Sequence, residues 1–338
     1  MSPGISEDLM STGSVKRALK ALRVSQPLNW IATPGARLLF GADGRAPEAV
    51  IRRLHRAGTV RCPLPNGKVL RLWSRGDDWI SNQLFWRGLN GYEPGSTAVF
   101  FRLASSSGVT LDVGSYVGFY SLLAAHANPQ GQVYAFEPLA PIFDRLTRNI
   151  ALNRVANVQC VRGAVSDKDG SADFHHLAVG LPTSSSLSHG FMDGSMAHAT
   201  EYVRGLGRMT KTTVPTLTLD HFAEEHRLGT VGLVKVDEGV EPDVLSGMRG
   251  LLKRDHPSIL CEVLPGAGTG PALEAILGPL GYRFYLLTSD GPIEKERIEG
   301  HPDWLNYLFT TASPVQLTDL LAGTPRAVGA GDANGATA

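Results

Sequence analysis

From Val109 onward, short apolar runs alternate with longer segments whose apolar residues recur at helical spacing. The runs are VTLDVG (109–114), QVYAFEP (132–138), VQCVRGAVS (158–166), VGLVKVD (231–237), PSILCEVL (257–264), YRFYLLT (282–288) and WLNYLFTT (304–311). Such near-continuous apolar stretches predict parallel strands covered on both faces. Between them, segments 117–128, 139–153, 219–228, 241–255 and 270–281 predict helices. In the second of these, Leu139, Ile142, Phe143, Leu146 and Ile150 share one face. The linker between the last two runs is too short and too polar for a crossover helix, so the final strand is expected to be antiparallel. The pattern predicts an α/β chain with a mostly parallel sheet.

The flanks read differently. Residues 1–14 are rich in Ser, Gly and acids and are expected to be disordered, as is most of a tail over 313–338. Residues 15–104 predict an N-terminal helical and hairpin extension. In RCPLPNGKVLRLW (61–73), Asn66-Gly67 between two apolar runs predicts a hairpin with a type I′ turn. A helix is expected after Pro94. Segment 167–211 is polar and carries His175, His176, His189 and His198. As a long insertion at a strand end, it is expected to border a substrate pocket.

The 338 residues are 43% hydrophobic, with 32 Lys+Arg against 32 Asp+Glu. That balance gives no global field for nucleic acid or an anionic membrane, and neither is expected as a partner. No run approaches the ~20 apolar residues of a membrane span, and the first residues lack the apolar core of a secretory signal. Cys62, Cys160 and Cys261 are far apart, each in a strand-like run, which predicts buried free thiols and no zinc site. A cytoplasmic protein without a metal follows, and a homodimer is compatible with these numbers.

LDVGSYVGFYS (111–121) ends the first strand and opens the first helix. Gly114 permits a tight turn and Gly118 a close approach. Tyr116 stands where a dinucleotide fold has its middle glycine, and its bulk disfavours a pyrophosphate. Roughly 20 residues further on, Glu137-Pro138 ends the second strand, where an acid can accept both hydroxyls of a ribose. The loop therefore suits a nucleoside ligand without phosphate.

The ordered set FWRGLNGYEP (85–94), LDVGSYVGFYS, YAFEP (134–138), GAVSDKDG (163–170), VPTLTLD (214–220), LVKVDEGVEPDVLSGM (233–248), ILCEV (259–263) and NYLF (306–309) resembles the FkbM family of S-adenosyl-L-methionine-dependent methyltransferases. The resemblance covers about residues 85–311. It implies a Rossmann-like class I methyltransferase fold over 105–312, with a seven-stranded, mostly parallel sheet and an antiparallel last strand. The N-terminal extension then caps the cleft. It also implies methyl transfer to a small-molecule acceptor, commonly a hydroxyl of a sugar or natural product. Under that reading Asp112, Gly114, Ser115, Tyr116, Gly118 and Phe119 receive the methionine end of the cofactor. Glu137 and Pro138 hold the ribose, and Gly163, Ala164 and Val165 line the adenine, with Ser166 or Asp167 as a polar contact. The family has Ala-Asn where this chain has Ser115-Tyr116.

A hydroxyl acceptor benefits from a base. Asp237, ending the fourth strand beside the cofactor, is the first candidate. Glu238 is the second and His189 the third. Tyr92, Glu93 and Glu262 are candidate acceptor contacts. The family has one apolar residue between the strand-end Asp and the Glu-Gly pair, whereas here Asp237 and Glu238 are adjacent. The loop is expected to absorb the deletion, because a slip of one residue would reverse every side chain of a buried strand. Glu241 and Asp243 fit the first turn of the next helix. Two alternatives remain open: a cofactor-binding scaffold with impaired catalysis, and N-methylation of a peptide or small molecule.

Overall fold

The computed structural model describes residues 33–39, 46–177, 185–187 and 209–322. The expectations for residues 1–14, His189, His198 and the tail beyond residue 322 lie outside these. A single helical turn, Glu48–Ile51, leads into the hairpin of β1 (Ala57–Pro63) and β2 (Val69–Arg75). Only Gly67 of the turn has positive φ (+80°), and its N–H donates to Leu64 O at 3.0 Å. That is a type I turn with Pro65 at its second position and glycine at the left-handed bulge, not the expected type I′. Pro65 presets the φ of a type I turn, so the proline decides the turn before Asn-Gly can.

Helices α1 (Trp79–Arg87) and α2 (Pro94–Ala104) follow. Asp78 caps α1 by accepting from the N–H groups of Ile80 and Ser81. Pro94 occupies the first turn of α2, where a missing N–H costs nothing. Then come β3 (Val109–Val113), α3 (Phe119–Ala127), β4 (Gln132–Phe136), α4 (Ala140–Asn153) and β5 (Val158–Val161). The expected third strand divides at Arg162. Its second half, β6 (Ala164–Val165), leaves the main sheet and joins a smaller one with β7 (Gly170–Leu177), β8 (Ser185–Ser186) and β9 (Met209–Leu217). The polar insertion is thus partly strand. Its buried apolar residues include Phe174 and Leu177, and Phe174 packs with Val214 of β9 against Leu139 and Ile142.

The chain continues through α5 (Leu219–Glu225), β10 (Val231–Val236), α6 (Glu241–Ser246) and α7 (Arg249–Asp255). The single helix expected over 241–255 is two. Gly247 presses against the backbone of Ser166, where a Cβ would lie 2.1 Å from its carbonyl oxygen. Asp220 then accepts from the N–H groups of Gly250 and Leu251 (2.7 and 2.8 Å), capping α7 from another helix. Last are β11 (Ser258–Glu262), α8 (Gly270–Leu277), β12 (Arg283–Thr288), β13 (Gly291–Lys295), β14 (Asn306–Thr310) and α9 (Pro314–Leu321). Helix α9 occupies the start of the tail expected to be disordered. Ser313 and Gln316 form its capping box, and Leu317 is buried.

The main sheet has the order β13-β12-β14-β11-β10-β3-β4-β5. Seven strands match the expectation, and β14 is antiparallel to both neighbours, β11 and β12. The eighth, β13, is a hairpin partner on the edge, too polar to read as a strand. The order reverses between β3 and β10, so the carboxyl ends of those strands open a crevice, the place where doubly wound sheets bind ligands. One buried cluster fills the face shared by α2, α3 and the N-terminal hairpin, and a second fills the face under α5 to α8. The first cluster joins Leu70, Leu72, Trp86 and Phe100 to Leu122, Leu233 and Leu260. The expected boundary at residue 105 therefore runs through one continuous core.

Polar stitching fixes the hairpin to the sheet. Asn149 and Asn153, one helical turn apart on α4, accept from the N–H groups of Trp73 and Arg71 at 2.8 and 2.9 Å. Asn153 also donates to Arg71 O, and Asn149 to Val117 O. Two asparagines thus pair with β2 as a neighbouring strand would. Both are buried. Asn149→Ala and Asn153→Ala each strand backbone groups of β2, at an expected cost of about 1–3 kcal/mol. The loss should appear as a lower urea midpoint without a change of slope.

Candidate active site

The crevice is set by how closely two strand ends approach. Gly114, after β3, has φ +77°, and a Cβ there would stand 2.0 Å from Asp237 O. Asp237 N–H donates to Val113 O at 3.1 Å. The turn after β10 therefore lies directly on the glycine loop. β10 pairs with β3 and β11 through Val236, and the short turn Asp237–Val240 leads straight into α6.

Around this contact the loop is folded by its own atoms. Ser115 N–H donates to Phe136 O, and its hydroxyl to Asp112 O. Gly118 precedes α3 at φ +88°, beside Leu146. Phe119 is buried and meets Tyr92 edge-on at 5.5 Å. Tyr116 has φ +49°, unusual for a bulky residue, and its buried hydroxyl has no hydrogen-bond partner among the described residues. Asp112 is 1% exposed at the end of β3. Its carboxylate accepts from Ser121 and so ties β3 to α3. Burial pushes it up to about 6.

Glu137 lies 5% exposed at the end of β4, one carboxylate oxygen accepting from Leu139 N–H at 2.9 Å. Burial pushes it up to about 8. Pro138 follows it into α4. Gly163, Ala164 and Val165 leave the end of β5, and Ala164 and Val165 pair with Thr216 and Leu217 of β9. Ser166 donates to Asp167 at 3.3 Å.

The other side of the crevice gathers a charged cluster. Lys235, 1% exposed near the carboxyl end of β10, sits beside Asp112 in the ladder and binds Asp237 Oδ2 at 3.0 Å. Its ammonium lies 5.2 Å from the Tyr120 ring. Burial opposes its charge, but Asp237, Glu93 and Glu262 outweigh that and hold it protonated. Tyr120 donates to Glu93 Oε2 at 2.5 Å. Glu93 and Tyr92 thus come from the N-terminal extension to the ends of β10 and β11. Glu262, at the end of β11, is pushed well up by burial and then by Asp237.

Lys235 was not among the candidates from sequence. Its only signal is a charge inside an otherwise apolar central strand. Of the histidines, His175 and His176 lie on β7, away from this cluster, with His176 on Thr212 of β9. Among the described residues no group of His, Cys, Asp and Glu is arranged to hold a metal, and no helix is long and apolar enough to cross a membrane. The three cysteines are unpaired. Cys62 and Cys261 are buried, and Cys160 is half-buried.

The Methyltransferase FkbM domain matches residues 112–284, half of the chain and all of this crevice except Tyr92 and Glu93. The chain belongs to the FkbM methyltransferase family. Its fold is the Rossmann-like class I methyltransferase fold, and its cofactor is S-adenosyl-L-methionine. Methyltransferase sdnD of Sordaria araneosa is 27% identical over 212 residues, covering 57% of this chain and 77% of sdnD. The hexuronic acid methyltransferase AglP of Haloferax volcanii is 29% identical over 151 residues, 44% of this chain and 54% of AglP. A solved FkbM methyltransferase from Methylobacillus flagellatus aligns with TM-score 0.38 and 13% identity, over 60% of this chain and 43% of that one. The FkbM chain thus spans about half the length of AglP and less than half of that solved protein.

The crevice fits such a cofactor. It offers a loop without a side chain at Gly114, acids for a cationic ligand, and orphaned buried polar atoms on Glu238 and Tyr116.

Two measurements follow. Gly114→Ala places a Cβ on Asp237 O and adds about 1–3 kcal/mol of left-handed backbone strain, so its urea midpoint should fall sharply. The cofactor-free protein should also lose stability as pH rises. A glutamate at its ordinary 4.5 when unfolded and at about 8 when folded binds more protons in the folded state, so its contribution is full below 4.5 and lost as pH passes 8. Glu137→Gln should flatten the fall of thermal midpoint across that window.

Proposed function

We propose that this FkbM methyltransferase methylates a hydroxyl of a small-molecule acceptor, a sugar or another natural product, with Asp237 as the base. The observation that carries the reading is the Lys235–Asp237 pair at the end of β10, with Asp237 side chain 31% exposed and Lys235 buried behind it. S-adenosyl-L-methionine, when bound, supplies an electrophilic methyl group on a sulfonium leaving group. Asp237 then accepts the proton of the acceptor hydroxyl. Lys235, fixed in a central strand, aims that carboxylate, and positioning of this kind supplies much of the barrier reduction in a displacement. Tyr92, Glu93 and Glu262 border the acceptor and exclude water.

On the cofactor side, Gly114, Ser115, Tyr116, Gly118 and Phe119 shape the methionine end. Glu137 and Pro138 hold the ribose, and Gly163, Ala164 and Val165 wall the adenine. Asp112 acts from behind, through Ser121. The name of the relative AglP, a hexuronic acid methyltransferase, supports a sugar among the acceptors to be tried.

The test is incubation with the cofactor and a panel of sugars, polyketides and amines, read by mass spectrometry for addition of one methyl. A hydroxyl-bearing product is expected, and a product methylated only at nitrogen would overturn the reading. Asp237→Asn should lower kcat by about 10²–10⁴-fold, the range for a lost base, with cofactor affinity little changed. Lys235→Met should lower kcat through Asp237, without moving the acceptor KM to the same extent.

A further inference from the structure

Glu238 is not accounted for by contacts within the chain. Its Cγ lies 3.2 Å from where a Cβ on Gly114 would stand, so the side chain runs beneath the glycine loop. It is 3% exposed, and neither carboxylate oxygen has a hydrogen-bond partner among the described residues. The charged groups that act on it are Glu137 from the end of β4, Glu241 from the first turn of α6, and Asp237 from its own turn. All three are acids. Lys235 is engaged by Asp237, and the nearby N–H of Gly239 donates to Glu241 at 2.7 Å. A carboxylate in this position has neither a donor nor a free cation among the described residues, and burying it charged is costly. Burial and the three acids together push Glu238 far above the ordinary range. What the chain lacks here, a cationic ligand at the glycine loop would supply.

We infer that Glu238 reads the charge of the cofactor: it is protonated in the ligand-free protein, ionises as S-adenosyl-L-methionine binds, and takes a proton back when the sulfonium charge is lost. The inference rests on the cofactor assigned above and goes beyond it. S-adenosyl-L-methionine carries one net positive charge, and adenosylhomocysteine carries none. Glu238 therefore exchanges one proton, released to solvent, for one cationic ligand. Methyl transfer breaks the S–CH3 bond, whose electron pair stays on sulfur, and forms O–CH3 with an electron pair of the acceptor oxygen. The proton that Asp237 takes from the hydroxyl balances the charge, and its transfer on to Glu238 restores the neutral carboxyl. Overall one proton is still released per turnover, but it appears at cofactor binding. Once Glu238 is neutral again, the site has lost the charge pairing that favoured the substrate form of the cofactor, and the product leaves more readily.

Titration calorimetry in phosphate and in Tris, whose ionisation enthalpies differ, counts protons directly without any methyl transfer. Binding of S-adenosyl-L-methionine to the wild-type protein should release about one proton, and its Kd should fall about tenfold per pH unit below the pKa of the free carboxyl. Adenosylhomocysteine should release none and show a flat profile. Glu238→Gln should abolish the release and narrow the preference for the charged ligand by about tenfold. Equal proton counts for the two ligands would overturn the inference, as would proton release that persists in Glu238→Gln. The wild-type comparison needs no variant, so a poorly folding Glu238→Gln leaves the test intact. Binding of S-adenosyl-L-methionine without proton release defeats only the charge-reading role. Failure of both ligands to bind defeats the cofactor assignment with it.

Discussion

Two strand ends meet at Gly114 and Asp237, and the remaining features of the crevice are arranged around that meeting. A backbone carbonyl occupies the space where any side chain at 114 would be. Because the approach is so close, the turn after β10 has little room to carry Glu238 outward, and the side chain goes under the loop. The same approach brings Asp237 to the mouth of β3. Parallel sheets place ligands where the strand order reverses because the crossovers there diverge to opposite faces. In this protein the divergence is bridged by one glycine.

Charge burial follows from that geometry. Lys235, Asp112 and Glu262 lie in β10, β3 and β11, and Glu137, Glu238 and Glu241 lie just beyond strand ends of the same sheet. Lys235 is stabilised by acids drawn from three parts of the chain, Asp237, Glu93 and Glu262. Burial first, and the neighbouring acids after it, raise the proton affinity of Asp112, Glu137, Glu238, Glu241 and Glu262. Such an arrangement weakens the ligand-free fold and favours whatever cation enters. It follows the general trade in which a site is strained in the free protein and relaxed by its ligand.

The parallel sheet, the glycine loop and the acid at the end of β4 could be read from the sequence because each is local. Apolar strands announce burial, Gly114 announces a turn, and Glu137 sits at the tip of a run. Residues whose meaning depends on distant partners could not be read. Lys235 looks like an intruder in β10 until Asp237, Glu93 and Glu262 are seen around it. Asn149 and Asn153 look like the exposed face of α4, yet they are buried because they serve β2. The sheet of β7 and β9 hid because its strands are polar; Asp173 pairs with Lys211 and Thr213 across them. The break at Gly247 depends on Ser166, and the cap of α7 on Asp220. The type I turn was misjudged for a nearer reason, since Pro65 outranked Asn66-Gly67.

The stitching of β2 to α4 bears on what can be cut away. The family match begins at residue 112, which invites an expression boundary near residue 105. Such a piece would lose Trp73 and Arg71, leaving two buried asparagines on α4 facing solvent, and would uncover the apolar face of α3. It would also lose Tyr92 and Glu93. The smallest unit that can be handled as one body therefore starts upstream of β1, and the catalytic half of this chain is not a separable module.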